Sequence, residues 1–230
     1  MSTPQLPLSL RFPPDQRLAA FHDPDARALP LVAAVADGAA ADWLYLDGAA
    51  GSGKTHLLLA ACAQADARGR RAVYLPLATL GAHAAEALAG NEAADLVAID
   101  GLDAICGDRG AEVALFDFHN AARAAGAAVL YAARGAPAAL PLELPDLRSR
   151  LAQCTRIALQ PLDDAGRRAV LRMRGAARGL QLDDAVIDWL LVHVERDLAS
   201  LGAVLDRLDR ASLAARRRPT VPFLRQLLRE

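Results

Sequence analysis

Gly48, Gly51, Gly53, Lys54 and Thr55 follow the spacing G-x-x-x-x-G-K-[ST], and these residue types at that spacing hold a polyphosphate. Glycines let successive backbone N–H groups turn inward without a Cβ clash, forming a concave nest for an anion. A helix starting near Lys54 aims its unsatisfied N–H groups and the positive end of its dipole at the same point. Lys54 supplies a mobile cation for the β- and γ-phosphates, and the Thr55 hydroxyl is placed to ligate Mg2+. The candidate nucleotide-binding residues are therefore Gly48, Gly51, Ser52, Gly53, Lys54, Thr55 and the adjoining His56. The competing reading, a Gly/Ala-rich turn that happens to precede a lysine, is disfavoured by the flanks. Trp43, Leu44, Tyr45 and Leu46 read as a strand, and the Leu/Ala-rich run after Thr55 reads as a helix.

A second chemical group stands about 45 residues on, where the apolar run 95–100 ends in Asp100. An apolar string closed by an aspartate is common by itself. Behind a phosphate loop it is the second half of a nucleotide site, because parallel strands deliver the carboxylate to the edge where the loop sits. Asp100 and Thr55 are the expected Mg2+ partners.

The elements that must position these groups alternate along the chain. Residues 71–77 read as a second buried strand closed by Pro76, and an Ala-rich helix is expected over roughly 79–90. A helix over 112–125 is expected to turn Val113, Phe116 and Ala124 inward. A fourth strand follows at 127–133 and a short fifth at 156–161. Strand–helix alternation predicts a doubly wound α/β core with its ligand at the carboxyl ends of the strands. Ahead of the loop, residues 26–40 form a helical run after a Phe21-His22-Asp23-Pro24 break. This segment is placed to cover a base, although none of its residues is diagnostic.

From Leu162 the strand signals stop. Asp163-Asp164 and Asp183-Asp184 stand as N-cap pairs before apolar-periodic runs. Leu198, Leu201, Leu205 and Leu208 recur at spacings of three and four, the mark of a buried helix face. Thr220 and Pro222 open a last short helix. The expected division is a tail over 1–14, an α/β core over 15–161 and an all-helical lid over 162–230.

Composition narrows the function classes. Net charge is −1, from 26 basic and 27 acidic residues, so no global field favours nucleic acid or an anionic membrane. Arg216, Arg217 and Arg218 read as a solvated helix end rather than a nucleic-acid patch. Cys62, Cys106 and Cys154 are far apart and lack C-x-x-C spacing, which predicts reduced, buried thiols of a cytoplasmic protein. The start of the chain has no basic region followed by a long apolar one, and no uncharged apolar run is long enough for a membrane span. The first 14 residues carry four prolines around Gln5, Leu6, Leu8 and Leu10. An extended peptide of this kind suits docking into an apolar groove. It also suits a tail whose leucines fold back on the body.

A phosphate-loop α/β core followed by a small helical lid resembles the AAA+ ATPases. The strings QLPLSL, LVAIDGLDAICGD, LPDLRSRL and LDRLDRASLAARRRPTVPFLRQLL are similar to the Hda family, the DnaA-homologous regulatory inactivators of the bacterial replication initiator. The similarity covers essentially the whole chain. DnaA itself is similar in the core but continues into a helix-turn-helix domain, whereas this sequence stops at Glu230.

The resemblance implies a specific biochemistry. Gln5, Leu6, Leu8 and Leu10 match the family's motif for the DNA polymerase III β sliding clamp. Arg150 matches its arginine finger, a permanently charged planar group that stabilises charge on another subunit's γ-phosphate. The implied ligands are ADP or ATP with Mg2+, the family favouring ADP. The implied partners are DnaA and the clamp, with DNA reached only through them, no membrane, and self-association left open. The implied location is the cytoplasm, at the nucleoid or replisome. The implied activity is negative regulation of replication initiation: on the DNA-loaded clamp, the protein stimulates hydrolysis of DnaA-bound ATP and leaves inactive DnaA-ADP.

Three departures from hydrolysing AAA+ enzymes point the same way. Gly101 follows Asp100 where a second carboxylate usually orients water, and Asp103 is the nearest later acid. The polar residue usual at the end of the fourth strand falls at Ala132 or Ala133. The lid arginine falls at Ala199, with Arg196 one turn earlier. These predict a nucleotide-bound regulator with little or no ATPase of its own. The alternative is an autonomous ATPase of the helicase- or clamp-loader type, with Asp103 or another acid replacing the missing one.

Overall fold

The computed structural model describes residues 17–40, 42–194, 198–215 and 217–228, the side chains of Leu198 and Ala199 excepted. The clamp-motif residues Gln5, Leu6, Leu8 and Leu10, and also Arg196 and Arg216, lie outside them.

Five strands form one parallel sheet: β1 (Leu44–Asp47), β2 (Ala72–Pro76), β3 (Leu96–Asp100), β4 (Ala128–Ala133) and β5 (Thr155–Ala158), in the order β2-β3-β4-β1-β5. Near-continuous apolar strands are what a sheet covered on both faces requires. The two-residue period sorts their side chains. Tyr45, Val97, Ile99, Val129 and Tyr131 face one layer, while Leu44, Leu46, Leu96, Ala98, Leu130 and Ala132 face the other.

Helices α1 (Ala28–Ala36) and α2 (Lys54–Ala67) cover the second face. Helices α3 (Leu77–Leu80), α4 (Ala84–Leu88), α5 (Arg109–Ala125) and α6 (Pro145–Ala152) cover the first. Alanines dominate α2, so it seats closely on the strands through Leu57, Leu58, Ala61 and Ala65. Each fully buried leucine there contributes about 1.5–3 kcal/mol by leaving water.

Three local expectations need correction. Strand β2 is an edge strand and only half-buried through Ala72, Val73 and Tyr74, rather than an inner one. The helix expected over 79–90 is broken at Gly81 into α3, a 3-10 turn and α4. Gly81 takes φ 52°, ψ −125°, which a side-chain-bearing residue rarely adopts. In α5 the inner face is Ala111, Leu115, Phe118 and Ala122, whereas Val113 and Ala124 are exposed and Phe116 is half-buried. The α5 reading failed because polar Glu112 and His119 are themselves buried, which blurs the polarity pattern.

After β5 the chain is helical: α7 (Asp164–Ala177), α8 (Asp184–His193), α9 (Leu198–Ala215) and α10 (Val221–Leu227). The expected caps form. Asp163 accepts the Gly166 amide at 2.7 Å, Asp183 the Val186 amide at 2.9 Å, and Thr220 the Phe223 amide at 3.4 Å. Leu171, Ile187, Leu190, Leu201, Leu205 and Leu208 build a separate core for this lid. The cysteines are free thiols. Burial pushes Cys62 and Cys154 up to about 12, leaving both un-ionised near neutral pH. Cys106 is only half-buried. Among the described residues no helix is long and apolar enough to cross a membrane.

Candidate nucleotide site

The loop between β1 and α2 sits at the carboxyl edge of the sheet, and Gly53, at φ 95°, is the left-handed residue that starts α2. Gly48 is required for a different reason. A Cβ there would lie 2.3 Å from the Leu159 carbonyl oxygen and 2.7 Å from Ser52 Oγ, so loop backbone and strand exit pass main chain against main chain. The Lys54 ammonium donates to the Gly48 carbonyl at 2.6 Å and the Ala49 carbonyl at 2.9 Å, arching over the loop. Burial pushes its pKa down, Asp100 and Asp103 pull it back up, and the Arg134 guanidinium pushes it down again.

The structure brings Thr55 and Asp100 together. The Thr55 hydroxyl donates to Asp100 Oδ2 at 2.6 Å, which leaves the lone pairs of Thr55 Oγ1 facing out for a cation. A hydroxyl and a carboxylate side by side, next to a phosphate cradle, fit Mg2+. That ion takes few protein oxygens and completes its shell with water and phosphate. Tyr74, unmarked in the sequence reading, donates to the same Oδ2 at 2.9 Å.

Gly101 takes φ 78° and brings no acid to the site. Asp103 is committed elsewhere: both of its oxygens accept the Arg134 amide, at 3.2 and 2.9 Å. Ala132 and Ala133 are buried in the sheet, and the first side chain clear of β4 is the exposed Arg134. Sequence reasoning stopped one residue short of this cation, because the strand's apolar run ends before it.

Beside the loop lies a cavity of about 320 Å³. Its walls come from the segment before α1 (Phe21, His22), from Leu31 of α1, from Gly53 and His56, from β5 and its exit, and from Val170 and Arg174 of α7. Phe21 lies across Gly53, where a Cβ would stand 2.6 Å from its ring, and sits 5.7 Å centroid to centroid from His56. A mostly apolar slot beside a phosphate loop has the chemistry to receive a purine and its ribose. Arg174 reaches the first turns of α9, its Nη1 lying 3.3 Å from where a Cβ on Gly202 would be.

Arg150 is elsewhere. Helix α6 ends beside the start of β1, the Thr155 amide donating to the Trp43 carbonyl at 2.8 Å, whereas the loop leaves from the other end of β1. Arg150 is half-buried next to His119 and makes no hydrogen bond or ion pair through its guanidinium among the described residues. Arg148 is tied down, donating to the Leu142 carbonyl at 2.5 Å.

A parallel sheet between helical layers, a phosphate loop with Thr55 and Asp100 at its carboxyl edge and, among the described residues, a lid of four helices make up an AAA+ fold. Comparison with known proteins refines this. Residues 164–228 match the family model "Hda, lid domain". Among solved structures, domain III of the Thermotoga maritima replication initiation protein DnaA superposes with TM-score 0.75 at 20% identity, covering 95% of this chain and 97% of that one. The replication initiator DnaA bound to AMPPCP and single-stranded DNA gives 0.70 at 22%, covering 85% and 65%. The Holliday junction motor RuvB of T. maritima gives 0.60 at 17%, covering 88% and 66%. The chain thus spans less than two thirds of the length of the nucleotide-bound DnaA. Its core has the fold of DnaA domain III, and its C-terminal helices match the Hda lid.

Proposed function

We propose that this protein is a replication regulator that binds ADP or ATP with Mg2+ and lowers the activity of DnaA by stimulating hydrolysis of the ATP that DnaA holds. The observation that carries this reading is the Hda-type lid on a DnaA-like core. Nucleotide is held between Gly48, Gly51, Ser52, Gly53, Lys54, Thr55 and His56, with Thr55 and Asp100 on Mg2+. The cavity walled by Phe21 and α7 takes the base.

Hydrolysis in cis is disfavoured by the site itself. Gly101 offers no base, and the Asp103 carboxylate is occupied by the Arg134 amide, so neither position supplies an acid to orient water. Arg150 acts in trans. It lies at the opposite end of β1 from its own phosphate loop and its guanidinium is uncommitted among the described residues, while Arg148 is fixed on Leu142. Gln5, Leu6, Leu8 and Leu10 tether the chain to the β sliding clamp, raising its local concentration near replicated DNA.

The deciding experiment measures hydrolysis of DnaA-bound ATP with and without clamp-loaded DNA, adding this protein with ADP or with ATP. Clamp-dependent stimulation is expected. Steady-state ATP turnover by the isolated protein that Lys54→Ala abolishes would instead establish an autonomous ATPase.

A further inference from the structure

We propose that Tyr74, on the edge strand β2, is a positioning residue for the magnesium site: its hydroxyl holds Asp100 in the orientation that receives the Thr55 proton and leaves the Thr55 oxygen open to the cation. The inference rests on reading the loop as a Mg2+-nucleotide site.

The geometry is local and complete. Asp100 is the last residue of β3, and Gly101 behind it, in the left-handed region, has no side chain to brace it. Across the β2–β3 ladder its register partner is Pro76, which has no polar side chain to offer. Tyr74 pairs with Ala98, two residues back, and the two-residue period puts its ring on the same face as Asp100. A tyrosine is long enough to reach forward along that face, and its hydroxyl arrives at Asp100 Oδ2 at 2.9 Å. Thr55 reaches the same oxygen from α2 at 2.6 Å. Two donors converging from different elements fix both the plane of the carboxylate and the direction of the Thr55 proton. With only Thr55 present, the aspartate and the threonine would each keep a free torsion. Partners that orient metal ligands in this manner typically change metal affinity about 10–100-fold when removed.

The test uses the full chain, wild type and Tyr74→Phe, titrated calorimetrically with a non-hydrolysable ATP analogue in Mg2+ and again in EDTA, with melting temperatures alongside. In the wild type, Mg2+ is expected to raise affinity. In Tyr74→Phe that Mg2+-dependent gain falls about tenfold, while affinity in EDTA and the melting temperature stay at wild-type values. An undiminished gain in Tyr74→Phe overturns the proposal, and so does an equal loss with and without Mg2+, which would mark a general structural role. A wild-type protein that binds no nucleotide overturns the nucleotide reading itself. One that binds equally with and without Mg2+ overturns the magnesium assignment and this proposal with it.

Discussion

The Glu112 carboxylate accepts the Leu144 amide at 2.7 Å, joining α5 to the residue that precedes α6. The same group takes the Gly107 amide at 2.9 Å and the Glu143 amide at 3.0 Å, and it is wholly buried. Three donors from two segments converge on one anion, which sets where α6 begins and so how Arg150 is presented.

Removing that anion takes the acceptor from three part-buried amides, each such bond contributing about 0.5–1.5 kcal/mol. Glu112→Ala is therefore expected to lower unfolding free energy by about 1.5–4 kcal/mol, read from urea denaturation. Glu112→Gln, which keeps one carbonyl acceptor, loses less. Equal losses in the two variants would show that the convergence does not matter.

Lys54→Ala removes a charge-assisted contact to phosphate, worth about 1.5–3 kcal/mol. Nucleotide affinity measured by calorimetry is expected to fall roughly 10–100-fold.

If the proposed function holds, Arg150→Ala is expected to leave nucleotide affinity and melting temperature as they are and to reduce stimulated hydrolysis of DnaA-bound ATP by about 10³ or more. Arg148→Ala does the reverse: it loses the bond to the Leu142 carbonyl and melts earlier. Full stimulation by Arg150→Ala would remove it from the mechanism.

His119 carries a pH dependence of stability. Burial first, then the Arg123 and Arg150 guanidiniums, push its pKa down to about 4, and Nδ1 lies 3.0 Å from the Tyr131 hydroxyl. The unfolded chain takes up the proton near pH 6.5 while the folded chain does not, so stability is full above that value. It falls as pH drops toward 4, by up to about 3 kcal/mol. The slope of unfolding free energy between pH 7 and 5 should flatten in His119→Gln.

Spacing was enough to read the loop, the strand ending in Asp100 and the capped helices of the lid, because each is written in consecutive residues whose types have few alternatives. What escaped is written across the chain. Nothing in their own helix marks Glu112 and His119 as buried, since their partners arrive from residues 107, 143, 144 and 131. Tyr74 read as one more bulky strand residue, because only the β2–β3 register reveals that its hydroxyl meets Asp100. Phe21 and Arg174, far apart in sequence, become neighbours of the loop only when α7 folds back over it. Gly81 could have been weighed against a continuous helix over 79–90, since a glycine within an alanine run costs about 1 kcal/mol.

Gly48 and Leu159 touch through their main chains, and Leu159 is also bound to β1, its amide donating to the Asp47 carbonyl at 2.6 Å. Side chains absorb displacement by changing rotamer; a backbone-on-backbone contact has no such slack. The helical arm that starts at Asp164 is therefore rooted, five residues on, in a stiff main-chain join to the phosphate loop.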